Sequence, residues 1–267
     1  MALTIYQVDS FTSEPFKGNP AGVCLVDKPL DEKLMQNLAM EMNIAETAFI
    51  YPIDDKKYSI RFFTPTVEIG LCGHATLATA NIMYEEEIVP KDKEIIFDSR
   101  SGELRVTYDN GWIKLNFPVY DSSKVNLAKA FFENTGLKPI DIYESTNDWT
   151  LAHLEKEEDV LNLKPNIGAL TGIGLGHMIV TAKSNQPDID YVVRCFVPKS
   201  GIDEDPVTGS AQCVLVPFWH KQTGKTEFNS IQASKRTGFL KLKYLVDKKR
   251  VEISGQTKTV FKVEVLI

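Results

Sequence analysis

The sequence predicts a two-lobed α+β protein, and three observations carry that reading. Its 267 residues are enough for two domains, and an apolar content of 43% can fill a core in each. Short β-branched runs interspersed with fewer helical patterns extend along the whole chain, with no low-complexity linker between halves. One pattern of strand, proline, loop, glycine and helix also occurs twice. Phe63-Thr64-Pro65 precedes Cys72-Gly73-His74-Ala75-Thr76-Leu77-Ala78, and Phe196-Val197-Pro198 precedes Thr208-Gly209-Ser210-Ala211-Gln212-Cys213-Val214. The two glycines stand 136 positions apart, about half the chain, so two similar lobes are expected, each presenting a helix N-terminus. Chance recurrence of a common strand-loop-helix unit is the competing reading.

Taken in order, Leu3 to Asp9 is apolar and β-branched and reads as a strand. Phe11 to Pro20 carries Gly18, Asn19 and two prolines and reads as a loop, followed by a strand at Val23–Val26. Leu30, Leu34, Leu38 and Met42 recur every fourth residue, which predicts a helix. Ala48–Tyr51 and Tyr58–Phe63 are expected to pair as strands, and Gly73–Tyr84 to be helical. Strands dominate from Glu94 to Phe117, with a hairpin turn at Asp109-Asn110-Gly111. The pattern then restarts: a helix around Val125–Asn134, strands near Asp141–Tyr143 and Thr150–Leu154, and a short helix near Val160. Strands are expected at Gly172–Thr181 and Tyr191–Phe196, a long helix at Thr208–Gln222 and hairpins from Ile231 to Ile267. The boundary is placed at 119/120, giving an N-terminal lobe of residues 1–119, to which the C-terminal tail can return, and a C-terminal lobe of residues 120–267.

Thirty basic against 36 acidic residues leave a net charge of -6, which argues against a nucleic-acid partner. Met1 to Asp9 has no basic and apolar leader pattern, and no stretch of about 18 uncharged apolar residues occurs, so a cytoplasmic protein without a membrane partner is expected. Cys24, Cys72, Cys195 and Cys213 lie far apart, and His74, His153, His177 and His220 form no ligand pair at helical spacing. Free thiols and no metal are the expectation.

The two glycine turns carry the chemistry. A helix N-terminus leaves backbone N–H groups unpaired and bears a partial positive charge, which suits a carboxylate or negative charge developing on a substrate. Gly73 and Gly209 would let that backbone approach a ligand closely, although glycine serves ordinary turns as well. The second turn, Asp203-Glu204-Asp205-Pro206-Val207-Thr208-Gly209-Ser210, sets three carboxylates ahead of a helix, where capping is the competing role. His74 sits at the first helix start, where the positive end favours its neutral form and lets it exchange a proton near neutral pH. A purely structural histidine is the alternative. Glu46, in Asn43-Ile44-Ala45-Glu46-Thr47-Ala48-Phe49-Ile50, lies between an apolar helix end and an apolar strand. Burial there would suit a proton-transfer base, whereas a capping or ion-paired role is the alternative. Cys72, at a helix start, is a possible thiol, with a buried bystander as the other reading.

Together these segments resemble the PhzF-like phenazine-biosynthesis family. The residues that carry the resemblance are Asp9-Ser10-Phe11-Thr12 with Gly18-Asn19-Pro20-Ala21-Gly22-Val23, Ala45-Glu46-Thr47-Ala48-Phe49, Arg61-Phe62-Phe63-Thr64-Pro65 with Glu68, Leu71-Cys72-Gly73-His74-Ala75-Thr76-Leu77, and Glu204-Asp205-Pro206 with Thr208-Gly209-Ser210-Ala211. The resemblance implies a diaminopimelate epimerase-like fold, two pseudo-symmetric lobes each with a barrel-like sheet around a central helix, with the site in the cleft between them. It also implies a homodimer and a cofactor-independent isomerase that shifts a proton on a small carboxylated metabolite, without metal, nucleotide or flavin. Carried over residue by residue, it gives Glu46 as catalytic acid/base, His74 and Asp205 as its polar partners, and Asn19, Gly73, Gly209 and Ser210 as substrate-holding positions.

Two departures matter. Epimerases of this fold use opposed cysteines, one before each helix-start glycine, whereas here Cys72 precedes Gly73 but Thr208 precedes Gly209. Two-thiol racemisation is therefore not expected, leaving a single-thiol epimerase using Cys72, or a non-catalytic small-molecule-binding protein, as alternatives. The stretch Gln232-Ala233-Ser234-Lys235-Arg236-Thr237-Gly238 is less glycine-rich than the family form, which leaves the substrate open.

Overall fold

The computed structural model describes residues 3–126, 132, 133, 135–172 and 176–266. Strands are β1 (Leu3–Ser10), β2 (Asn19–Leu25), β3 (Glu46–Pro52), β4 (Lys57–Phe63), β5 (Glu68–Ile69), β6 (Ile95–Ser99), β7 (Gly102–Asp109), β8 (Trp112–Pro118), β9 (Ser122–Val125), β10 (Asp141–Ser145), β11 (Thr150–His153), β12 (Met178–Lys183), β13 (Tyr191–Phe196), β14 (Glu204–Asp205), β15 (Glu227–Gln232), β16 (Gly238–Leu245), β17 (Arg250–Gly255) and β18 (Thr257–Val265). The helices are α1 (Glu32–Met42), α2 (Gly73–Glu85), α3 (Glu157–Leu161), α4 (Ile167–Gly172) and α5 (Gln212–Thr223). The chain divides into two units, Met1–Asn116 with Ser254–Ile267, and Phe117–Ile253.

In the first unit β1 pairs antiparallel with β18 and with β2, β2 parallel with β3, and β3 antiparallel with β4. β4 then takes β5 antiparallel at its end and β6 parallel along its start, and β6 pairs antiparallel with β7. The Asn110-Gly111 turn that joins β7 to β8 has φ of 48° and 87°, the two positive values a two-residue hairpin turn of this twist requires. Helix α1 is started by Asp31, whose Oδ1 accepts from Leu34 N at 3.1 Å, and is ended by Asn43 in the left-handed region with φ 48°. Helix α2 is buried on nearly every side, from His74 to Tyr84 with only Asn81 less covered. A helix buried all round needs neighbours all round, and β1, β2, β3 and β18 of this unit pack against it.

The second unit repeats this order of pairings. β10–β11 is antiparallel, β11–β12 parallel, β12–β13 antiparallel, β13–β14 antiparallel, β13–β15 parallel and β15–β16 antiparallel. Helix α5 stands where α2 stands in the first unit, after the two-residue strand, and is buried from Gln212 to Trp219 except at Pro217. The internal correspondence read from the sequence is thus a correspondence of whole topologies. It extends to a side-chain device. Arg61 on β4 grips Glu68 on β5 with Nε–Oε1 2.8 Å and Nη2–Oε2 2.6 Å, and lies 5.2 Å over the Phe63 ring. Arg194 on β13 grips Glu204 on β14 with Nε–Oε1 2.7 Å and Nη2–Oε2 2.9 Å, and lies 4.9 Å over Phe196.

Three local expectations differ from the structure. Gly172 closes the short helix α4, whose entry is turned by Asn166 Oδ1 accepting from Ala169 N at 3.1 Å, so the strand expected from Gly172 begins only at Met178. The helix expected from Thr208 begins at Gln212, because Gly209 to Ala211 form tight turns in which Gln212, Cys213 and Val214 each donate to the carbonyl three residues back. The helix expected around Val125–Asn134 falls largely outside the described residues, and Val125 itself closes β9.

Candidate active site

In the first unit four backbone ends bring the sequence-predicted residues together. Ser10 closes β1 opposite Asn19, which opens β2; Glu46 opens β3, in register with Ala21 of β2; and His74 is the second residue of α2. Asn19 is fully buried, and its Nδ2 lies 3.2 Å from His74 Nδ1. Ser10 Oγ donates to the His74 carbonyl at 2.8 Å and so pins the start of the helix. Glu46 Oε2 is 3.0 Å from His74 Nε2, with side chains 17% and 8% exposed. That contact is a charge pairing rather than an aligned hydrogen bond, since Oε2 has no partner by hydrogen-bond geometry. Cys72 caps the helix with its backbone only, no side chain caps the first turn, and no acidic residue lies in it.

The electrostatics of this cluster correct one expectation. Burial acts to lower the His74 pKa, but the neighbouring Cys72 and Glu46 side chains act the other way and prevail, Glu46 as the facing carboxylate, so the imidazole is raised above its usual range. The helix start alone favours the neutral ring, whereas the Glu46 carboxylate beside it favours the charged form. Cys72 Sγ is 3.5 Å from His74 Nδ1, yet burial, reinforced by the Glu46 charge, pushes its thiol up. The thiol is accordingly the protonated form near neutral pH, which weakens it as a nucleophile. Glu46, Cys72 and His74 offer donor atoms within 4.8 Å of one another and could hold a transition metal by donor type.

The second unit holds the other sequence-predicted residues. Asp205 closes β14, and Gly209 and Ser210 lie in the turn before α5, Gly209 buried and Ser210 exposed. Thr208 Oγ1 donates to Asp205 Oδ2 at 2.5 Å. Two contributors were not singled out from sequence: Ser10, whose hydroxyl reaches the His74 carbonyl, and the Thr208–Gln232 pair, which surrounds Asp205. For Thr208 the signal was there, a hydroxyl three residues after a carboxylate and just ahead of a helix.

Residues 8–263 match the PhzC-PhzF family, described as phenazine biosynthesis-like protein. The chain belongs to the PhzF family. It is 41% identical to an uncharacterized isomerase of Halalkalibacterium halodurans over 268 residues, covering 100% of both chains, and 42% identical to an uncharacterized isomerase of Pseudomonas aeruginosa over 96% of this chain and 95% of that one. Among solved structures, a PhzF family protein of Enterococcus faecalis superposes with a TM-score of 0.94 at 38% identity over 100% of both chains. A probable proline racemase of Agrobacterium radiobacter, 10% identical over 99% of this chain and 93% of that one, shares the fold alone with a TM-score of 0.66. This PhzF chain therefore has the diaminopimelate epimerase-like α+β fold, with a largely buried helix in each unit. Its role is of the isomerase type. Among the described residues, no helix is long and apolar enough to cross a membrane.

Proposed function

We propose that this PhzF protein isomerises a small carboxylated metabolite by moving one proton, with Glu46 as the group that takes it and returns it. The observation that carries the proposal is the Glu46–His74 pair, 3.0 Å apart and largely shielded from water. In the first step the substrate C–H bond breaks, its electron pair passes into the adjoining unsaturated system, and an O–H bond forms on Glu46. In the second the O–H bond breaks and a C–H bond forms at another carbon, so that no electron leaves or enters. His74, 3.0 Å away, positions the Glu46 carboxylate, and Asn19 orients the ring. Either face of the Asn19 amide can meet Nδ1, as donor to a neutral ring or acceptor from a charged one. Asp205, with Gly73, Gly209 and Ser210 as carboxylate-holding positions, belongs to the same proposal on the family pattern.

A well-placed acid/base contributes roughly 10²–10⁴-fold to rate. Glu46→Gln should therefore lose most of the enzyme-dependent proton exchange from substrate while unfolding at the same urea concentration as wild type; wild-type exchange in the variant would reject the role. A second reading, the single-thiol epimerase, is supported by the 3.5 Å Cys72–His74 approach and opposed by the burial that keeps the thiol protonated. The proposal includes a homodimer, checked by light scattering after size exclusion.

A further inference from the structure

Gln232 is fully buried at the end of β15, and both ends of its amide are spent on the second turn. Nε2 donates to the Asp205 carbonyl at 2.8 Å and to Thr208 Oγ1 at 3.1 Å, while Oε1 accepts from Thr208 N at 2.8 Å and lies 3.8 Å from Cys195 Sγ. A hydroxyl has one proton to give. Because the Gln232 amide occupies a lone pair of Thr208 Oγ1, the Thr208 proton is left to Asp205 Oδ2, 2.5 Å away. The chain of donation runs one way, from amide to hydroxyl to carboxylate. In the internal repeat Thr208 stands where Cys72 stands in the first unit, so the position that holds a thiol there holds here a hydroxyl committed to Asp205.

We propose that Gln232 is a positioning residue for Asp205, acting through Thr208 to keep that carboxylate an ionised acceptor in one orientation. It is not assigned a catalytic role: its amide bonds to the Asp205 carbonyl and to Thr208, with the Cys195 thiol 3.8 Å away. The inference rests on the reading that Asp205 takes part in the chemistry, but its test does not. Among the charged or titratable groups near Asp205 are Glu204, itself held by Arg194, and the Cys195 thiol, which burial pushes up.

The experiment is carbon-13 NMR of aspartate-labelled full-length protein, with the Asp205 carboxyl assigned by its loss in Asp205→Asn. Removing a charge-assisted hydrogen bond from a carboxylate raises its midpoint by about one pH unit. Thr208→Val should move the Asp205 titration upward by that amount and Thr208→Ser should leave it in place. Gln232→Met, which removes the amide without adding a charge, should move it upward as well, and the Thr208→Val/Gln232→Met double variant should move it no further than the larger single change, because one path carries both effects. Additive shifts in the double variant, or an unmoved titration in Gln232→Met, would overturn the proposal. Should Gln232→Met not fold, the wild-type Gln232 side-chain amide proton signals serve instead: they should follow the Asp205 titration, and independence from it would be equally fatal. The reading itself is tested apart, by proton exchange in Asp205→Asn with a pool of small carboxylic acids in D₂O; retained exchange there would reject a role for Asp205 while leaving the NMR result standing.

Discussion

Replacing Arg61 with Met tests whether the arginine–glutamate brace holds the first glycine turn. Glu68 is only 7% exposed, and it receives two hydrogen bonds from Arg61, itself 22% exposed, and forms an ion pair with Arg100 at 2.7 Å. Removing one partner of a buried ion pair costs about 3–5 kcal/mol when the other is left bare. Here Arg100 stays, but it is 55% exposed and is a weak substitute, which brings the expected cost to about 2–3 kcal/mol. The third Arg61 contact, to the exposed Glu32, adds well under about 1 kcal/mol. Met keeps the apolar packing over Phe63, so the loss reports the brace and not a cavity. Urea unfolding of Arg61→Met, Arg100→Met and Glu68→Gln gives the comparison. The expected order is a large loss for Arg61→Met and less than about 1 kcal/mol for Arg100→Met; equal losses, or a larger one for Arg100→Met, would refute the reasoning.

Other predictions concern single positions. Gly18 has φ +65° and an added Cβ would stand 2.1 Å from the Ser10 carbonyl oxygen, so Gly18→Ala should cost more than about 2 kcal/mol in urea unfolding, whereas a neutral change would show that the loop shifts freely. The raised His74 pKa stabilises the fold fully below the unfolded value of 6.5, and that contribution is lost as pH rises through the folded value. The stability advantage of wild type over His74→Gln, followed by urea unfolding from pH 5.5 upward, should therefore shrink with rising pH; growth would contradict the pairing. Cys72→Ser should retain proton-exchange activity within about tenfold, since a thiol acting as a base would on removal cost roughly 10²-fold or more.

Much of this fold was legible because local chemistry and tertiary demand agree. The fourfold spacing of Leu34, Leu38 and Met42 lies along the packed side of α1, with Leu34 and Met42 half-buried beside the buried Met35, Leu38 and Ala39, and Asn110-Gly111 takes the two positive φ values its hairpin needs. Helix α2 has no polar face to set a period, so its glycine start and composition, rather than amphipathicity, pointed to it. What escaped depends on contacts between distant residues. The Arg61–Glu68 and Arg194–Glu204 braces need the short antiparallel returns of β5 and β14, which two-residue strands do not announce. The start of α5 was misplaced because glycine marked the tight turn before the helix, not the helix itself. His74 was expected neutral from the helix end alone; Cys72 lies two residues away, but Glu46 reaches the ring only through the parallel pairing of β2 with β3. The contact of Glu46 with His74 follows from that same pairing, as does the proximity of Asn19.

The central claim is that Glu46 moves a substrate proton, and deuterium incorporation tests it most directly. Wild type and Glu46→Gln are incubated with pooled small carboxylated metabolites in D₂O and the pool is read by mass spectrometry. Enzyme-dependent mass shifts or isomers with wild type that vanish in Glu46→Gln are the predicted result, and the shifted species names the substrate. Equal incorporation by both proteins would contradict the account, and an absence of incorporation with either would turn it toward a protein that binds such a metabolite without converting it.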